Sequence, residues 1–387
     1  MLHKSESLEP VIWLNNEVAK PPSEKTRQLA TSLPDVFSLE EGLSVQELLE
    51  KSEKSVRSLV PAAKESFHFS YIVPTSQGLT GIVSSLLLHS QLFQGRSHFL
   101  VPSHDQQTLI TSICRRHIEG ASYDWIIPNK MGIITEESFI DSLSPKTLMV
   151  SLSLANGLTG VIQPLNFIKN ICKERNILLH LDISHALGKI LLDKEVFEAD
   201  IITFSGLPLG SSGAIGGCFF RHHLNKILSP IFPDSQTLLQ NFPLGAVVSL
   251  ANACKERSET LSSFALKTGS LNHQFCSTLS KELPEVQYLF KDASDRLPNV
   301  ILAAFPDTPA EALAFLLQNS RICVAIGYEN FQPLSQVLQS CGVPPLLCHS
   351  SIGFSLNETL SAADLVTIIK EIKKNIAHLK TITKGAL

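Results

Sequence analysis

An α/β fold follows from three features of the 387-residue chain. Short β-rich runs alternate with helical stretches from about residue 67 to 220, two long runs in that region carry no charge, and beyond about residue 245 long helical runs dominate. Alternating strands and helices imply a mainly parallel sheet covered on both faces, with ligands at the carboxyl ends of its strands. The later change of pattern predicts a smaller α+β unit. The expected division is a segment 1–15 packing on the small unit, a large unit 16–245 and a carboxyl-terminal unit 246–387. Hydrophobic residues make up 44% and charged ones 18%, below the roughly 25% of ordinary soluble domains. Such a chain buries a large core and is not intrinsically disordered. Its 32 Lys and Arg against 36 Asp and Glu leave a net charge of −4, which offers nucleic acid or an anionic membrane no electrostatic attraction.

Seven strand-like runs compose the large sheet: 69–73, 98–101, 125–127, 148–152, 177–181, 201–204 and 217–220. Helices are expected between them at 79–93, 105–118, 135–142, 164–175 and 186–197. In the second unit the pattern predicts a helix over 246–282, a strand over 299–305, a helix over 309–319, a strand over 322–326 and a closing helix over 361–380. Ser361 with Asp364 three residues on marks the start of that last helix, and Leu365, Ile368, Ile369, Ile372, Ile376 and Leu379 follow at helical spacing.

The uncharged runs, 147–168 and 201–220, reach the length of a membrane span. The first contains Asn156, Gly157, Gly160, Gln163 and Pro164, and the second has five Gly, one Pro and three Ser, which would leave backbone groups without partners in lipid. Each reads better as a buried strand followed by a turn, forming the floor of a ligand site. The opening MLHKSESLEPVIWL has no apolar stretch fit for a signal peptide, so a cytoplasmic protein without a membrane partner is expected. Eight cysteines with no CxxC pair predict buried reduced thiols rather than disulfides or a metal site.

Three segments in order carry chemistry. Leu179-His-Leu-Asp182-Ile-Ser-His185-Ala-Leu-Gly188-Lys189 is a buried strand ending in an acid; Asp200-Ile-Ile-Thr-Phe-Ser205-Gly206 is a second strand and turn; Ala155-Asn156-Gly-Leu-Thr-Gly160-Val-Ile-Gln163-Pro164 is a glycine-rich turn before a helix. Together they resemble the large domain of class V aminotransferase-fold enzymes that use pyridoxal phosphate (fold type I), and specifically the NifS-like cysteine desulfurases. Ile12-Trp-Leu-Asn15-Asn16 is similar to that family's opening "YLDNAAT", and His349-Ser-Ser-Ile-Gly353-Phe-Ser to its "HSSIRFS". The resemblance spans nearly the whole chain.

An acid at a strand end, here Asp182, holds a pyridine nitrogen protonated and makes the ring an electron sink. The resemblance places His104 where an imidazole stacks on the ring, His185 near the ring's phenolic oxygen, and Asn156 close to the asparagine of the same edge, although the residue credited with that contact falls at Gly157. Ser205 and a Gly78–Thr80 turn ahead of a helix would bind the phosphate. A homodimer is implied as well.

Other positions depart from the family. The Schiff-base lysine of "SGHK" is Pro208 and the phosphate-binding histidine before it is Leu207; neither Lys189 nor Lys226 follows the motif. Asn330 stands at the nucleophilic cysteine, Gly353 at the substrate-carboxylate arginine, and Leu79 at a phosphate-binding threonine. The partner-subunit element "RSGT" is replaced by Leu239-Gln-Asn241-Phe-Pro243. Proline is neither an amine nucleophile nor a proton shuttle. The expected function is therefore a catalytically degenerate, desulfurase-like protein that binds or scaffolds, with pyridoxal phosphate held at most without a covalent bond. The competing reading is an active pyridoxal-phosphate enzyme of sulfur mobilisation. A pyridoxamine-phosphate dehydratase would suit the missing lysine but not Pro208.

Overall fold

The computed structural model describes residues 11–31, 45–72, 75–232, 244–328 and 330–385; the 239–243 segment lies outside them. A short strand β1 (Ile12–Trp13) opens the chain, followed by helices α1 (Glu24–Thr31) and α2 (Val45–Leu59). The large unit continues with β2 (Phe67–Ile72), α3 (Thr75–Leu88), β3 (His98–Pro102), α4 (Gln107–Cys114), β4 (Ser122–Ile126), α5 (Glu136–Asp141), β5 (Thr147–Ser153), α6 (Asn166–Glu174), β6 (Leu178–Asp182), β7 (Ile201–Ser205), β8 (Gly216–Arg221) and α7 (Asn225–Leu228).

These strands form one seven-stranded sheet in the order β2-β8-β7-β6-β5-β3-β4. The pairs from β7 through β4 are parallel, and β8 runs antiparallel to both of its neighbours. Strands β5, β6 and β3 are buried along their whole length, which is why they read as unbroken apolar runs rather than alternating ones. Two clusters of buried side chains cover the sheet, one around Leu152, Phe204 and Phe219 and one around Phe99, Met149 and Phe220. Glycine is required where β7 and β8 meet: a Cβ on Gly216 would lie 2.0 Å from the Phe204 carbonyl oxygen.

Helix α8 (Leu244–Glu282) leads into the carboxyl-terminal part, with β9 (Gln287–Tyr288), β10 (Val300–Ala304), α9 (Ala310–Asn319), β11 (Ile322–Cys323), α10 (Leu334–Ser340), α11 (Pro345–Cys348), β12 (Ser351–Ser355) and α12 (Ala362–Gly385). Strands β12, β10 and β9 form a three-stranded sheet, while β1 pairs in parallel with β11. Leu365, Ile368, Ile369, Ile372 and Ile376 of α12 are buried against this sheet, as their spacing predicts.

Three expectations need correction. No α-helix covers 186–197: the chain makes turns there and then a 3-10 helix at Lys194–Glu198, because Gly188 adopts φ +72° and sits so close to Arg257 that a Cβ would lie 2.3 Å from its Cγ. The 322–326 run is a strand only at Ile322–Cys323, after which Ala325 makes an isolated bridge to Gly353. Gly78 and Thr80 lie inside α3 rather than in a turn ahead of it. In addition, α1 and α2 are helices that the pattern did not single out.

At the start of α12 the Asp364 amide donates to Ser361 Oγ at 3.2 Å and the Ser361 amide donates to Asp364 Oδ2 at 2.8 Å. This reciprocal cap satisfies two amides that the helix leaves unpaired. Ser361→Ala should lower stability by about 1 kcal/mol in urea unfolding at neutral pH; an unchanged midpoint would show that the cap contributes nothing.

Candidate functional site

The sheet order reverses between β3 and β5, because the chain builds outward to β4 on one side and to β6, β7 and β8 on the other. In open α/β sheets the crevice at such a reversal holds the ligand. His104 follows β3, Asn156 follows β5, Asp182 ends β6 and Ser205 ends β7, so four of the expected residues do meet at one sheet edge.

Asp182 is buried and its carboxylate is already shared. Oδ2 accepts from Thr203 Oγ1 at 3.0 Å; Oδ1 accepts from the Ser184 amide at 3.0 Å and from Gln106 Nε2 at 3.4 Å. Gln106 Nε2 also donates to Ser153 Oγ at 3.0 Å, and Ser153 in turn donates to Asp105. His104 is fully buried, accepts at Nε2 from Gln163 Nε2 at 3.3 Å, and burial lowers its pKa to about 4, so its ring is neutral. The Asn156 carboxamide is used within the chain: Nδ2 donates to the His104 carbonyl beyond β3, and Oδ1 accepts from the amides of Leu158 and Thr159 in its own turn. The neighbouring Gly157 has no room for a side chain, since a Cβ there would lie 2.6 Å from His185 Nδ1.

His185 takes that position because it turns toward Glu17. Glu17 stands at the first alanine of the opening "YLDNAAT" element and is buried between the two sheets. Its Oε2 accepts from Lys189 Nζ and, at 2.9 Å, from His185 Nδ1; its Oε1 accepts from Asn299 Nδ2 at 3.0 Å and Ser355 Oγ at 3.1 Å. Burial by itself would raise the Glu17 pKa, but the Lys189 ammonium and the His185 hydrogen bond outweigh it and bring the carboxyl down to about 2. Glu17 is thus ionised, paired and hydrogen-bonded on both oxygens, the condition for a buried carboxylate.

The cavity above this cluster encloses about 40 Å³ and is lined by Glu17, Gln106, His185, Ser205, Pro208 and Phe331 among others. That is room for about three waters at about 10–15 Å³ each, against the roughly 300–1,000 Å³ of ordinary small-molecule sites. Phe331 is part of its wall, its ring centroid 5.1 Å from that of His185. Leu207, Pro208 and Leu209 form a 3-10 turn after Ser205, whose Oγ accepts from the Leu207 amide. Among the described residues no lysine lines the cavity: Lys189 is held by Glu17, and Lys226 is exposed on α7. Gly353 is buried in β12, where a Cβ would lie 3.3 Å from Ala325 Cβ, a tight contact to which the neighbour would have to yield.

Pyridoxal phosphate, the cofactor the resemblance implies, does not fit these residues as they stand. The cavity is about 40 Å³, Glu17 and Phe331 form part of its lining, and Asp182 accepts from Gln106 at 3.4 Å. His104 Nδ1 and His185 Nε2 are buried without a protein partner, and these two nitrogens are polar capacity that small molecules such as water can use. Glu17, Gln106 and Phe331 were not singled out from sequence. Glu17 alone carries a local signal there, an acid within an apolar segment where the family has alanine.

The family model Aminotransferase class-V matches residues 38–242. The cysteine desulfurase IscS of Klebsiella pneumoniae subsp. pneumoniae is 24% identical over 301 residues, covering 76% of this chain and 74% of the relative. The mitosomal cysteine desulfurase of Trachipleistophora hominis is 24% identical over 298 residues, covering 74% of this chain and 67% of that one. Among solved structures, a NifS-like protein superposes with a TM-score of 0.81 at 16% identity, over 96% of this chain and all of that chain. The apo cysteine desulfurase of Thermococcus onnurineus NA1 gives 0.79 at 15% identity, over 95% of each chain.

Because the Glu17 pKa falls on folding from 4.5 to about 2, its contribution is full above pH 4.5 and is lost as the pH drops from 4.5 through about 2. Glu17→Gln leaves Lys189 buried without its anion and should cost about 3–5 kcal/mol at pH 7. Urea titrations across pH 2–7 should show the variant losing about one proton of pH dependence in the acid window; parallel curves for both proteins would contradict the ion pair.

Proposed function

From the premise that this chain belongs to the aminotransferase class-V family and has the fold of the cysteine desulfurases, we propose that it has left the family's amine and thiol chemistry and works as a binding or scaffold protein. The observation that carries this reading is Pro208, which stands at the lysine position in a turn lining a cavity too small for the cofactor. A ring nitrogen in a pyrrolidine, already acylated as a peptide bond, has its lone pair delocalised into the carbonyl and does not add to an aldehyde.

The other substitutions support the same reading from independent chemistry. Asn330, at the cysteine position, offers no thiolate, and its backbone carbonyl accepts from the Thr108 amide at 3.4 Å. Gly353 offers no guanidinium for a substrate carboxylate. What the surrounding residues do instead is internal: Glu17 binds Lys189 and His185, Gln106 binds Asp182, and Phe331 packs on His185. The eight cysteines are all unpaired thiols, which suits a reducing compartment, and we propose a cytoplasmic homodimer.

The protein purified in the presence of pyridoxal phosphate and treated with borohydride should carry no reduced adduct within the cavity, and it should release no sulfide from cysteine. An adduct mapped to Lys189, or sulfide released at a rate above a heat-treated control, would overturn the proposal. Light scattering should give twice the 42.4 kDa chain mass; a monomer at micromolar concentration would contradict the dimer.

A further inference from the structure

The turn that carries Pro208 borders a second, larger cavity. Leu207 and Pro208 line the small one described above, whereas Leu209 and Gly210 line a space of about 480 Å³ shared with the opening segment, α8 and the stretch after β12. That volume lies within the roughly 300–1,000 Å³ of small-molecule sites. The Lys20 amide donates to the Leu207 carbonyl at 2.9 Å, and Gly210, at φ +90°, would place a Cβ 3.3 Å from the Pro21 carbonyl oxygen, so turn and opening segment make one wall. Both signs of charge stand on the lining, Lys20 and Arg257 against Glu256 and Glu358. Lys20 Nζ and Arg257 Nη2 donate to the same oxygen, Glu358 Oε1, at 2.9 and 3.2 Å. Arg257 is only 5% exposed, and its guanidinium carbon lies 4.2 Å from the centroid of the Phe264 ring, a cation–π contact that holds it in place. Its Nη1 is a buried donor and Glu358 Oε2 a buried acceptor, each without a hydrogen-bond partner among the described residues. Buried charged groups ordinarily have their hydrogen bonds filled, so two unmet atoms in one ion pair on a cavity wall call for a ligand.

We propose that this cavity binds a small zwitterion of the α-amino-acid class, its carboxylate taken by Arg257 and Lys20 and its ammonium by Glu358. The unmet donor needs an acceptor and the unmet acceptor needs a donor, and a zwitterion supplies both through charge-assisted hydrogen bonds without adding net charge. A simple anion would meet Glu256 and Glu358 as well as the cations, and a simple cation would meet Lys20 and Arg257. Pro21, Pro22 and Leu209 give the lining an apolar part on which an aliphatic side chain can rest. The proposal goes beyond the binding role stated above by assigning a site and a ligand class, and it holds whether or not the smaller cavity ever takes a cofactor.

The test is isothermal titration calorimetry of the full chain with L-leucine, beside 4-methylpentanoate, which lacks the ammonium, and 3-methylbutylamine, which lacks the carboxylate. Leucine should bind saturably and about tenfold or more tightly than either fragment. Glu358→Gln keeps the shape of the side chain and removes its charge, and should weaken leucine binding about tenfold while circular dichroism stays unchanged. Thr260→Trp, at an exposed position of α8 on the cavity lining, should abolish binding, and it decides the matter if Glu358→Gln does not fold. Absence of saturable binding by the wild type, equal affinity for leucine and its two fragments, or wild-type affinity in either folded variant overturns the site. Each of those results leaves the borohydride and sulfide measurements untouched, so the failure of this site and the failure of the proposed function are read separately.

Discussion

One buried carboxylate ties together four stretches of chain that are distant in sequence. Glu17 lies in the opening segment, takes hydrogen bonds from His185 and Lys189 beyond the end of β6, from Asn299 just ahead of β10 and from Ser355 at the end of β12. Burying a charge is costly unless it is paired and hydrogen-bonded, and this one has four donors. A buried ion pair adds little net stability over an apolar replacement, but removing one partner is severely destabilising, so the pair constrains the arrangement more than it strengthens it. Its consequence for the site is geometric. Drawing His185 toward Glu17 places the imidazole against Gly157, and Phe331 then packs on the imidazole.

The sheet edge keeps the family architecture, and its polar groups are bonded within the chain. The carboxyl ends of β3, β5, β6 and β7 still bring His104, Asn156, Asp182 and Ser205 together, because that placement depends on strand order and burial, not on what the residues bind. Each of them has found a partner within the chain: Gln163 for His104, the turn backbone for Asn156, Thr203 and Gln106 for Asp182, the Leu207 amide for Ser205. A fold supports many functions and the site decides among them; here, among the described residues, only His104 Nδ1 and His185 Nε2, of the two imidazoles, are without a protein partner.

Much of the architecture was legible in the residues, and for identifiable reasons. The strands of the large sheet are buried on both faces, which produces apolar runs that need no periodicity to recognise, and α12 announces itself by Ser361, Asp364 and an apolar stripe. Helix α1, Glu-Lys-Thr-Arg-Gln-Leu-Ala-Thr, has almost no apolar face, so periodicity does not reveal it. The 186–197 helix failed at Gly188, whose left-handed backbone answers to Arg257, a residue about 70 positions away, and no local pattern reports that. At the site, the family motifs marked the positions where groups are absent. They did not show what fills the space, because Gln106, Phe331 and Glu17 act through contacts between distant segments: Glu17 reaches Ser355 across 338 positions.

The most direct test of this account is a crystal structure of the protein grown in excess pyridoxal phosphate. The account predicts Glu17 bonded to both Lys189 and His185, Phe331 seated against the His185 ring, and Gln106 on Asp182, with no cofactor density between them. Density for a pyridine ring on Asp182, with Phe331 displaced and the Glu17 contacts broken, would contradict it.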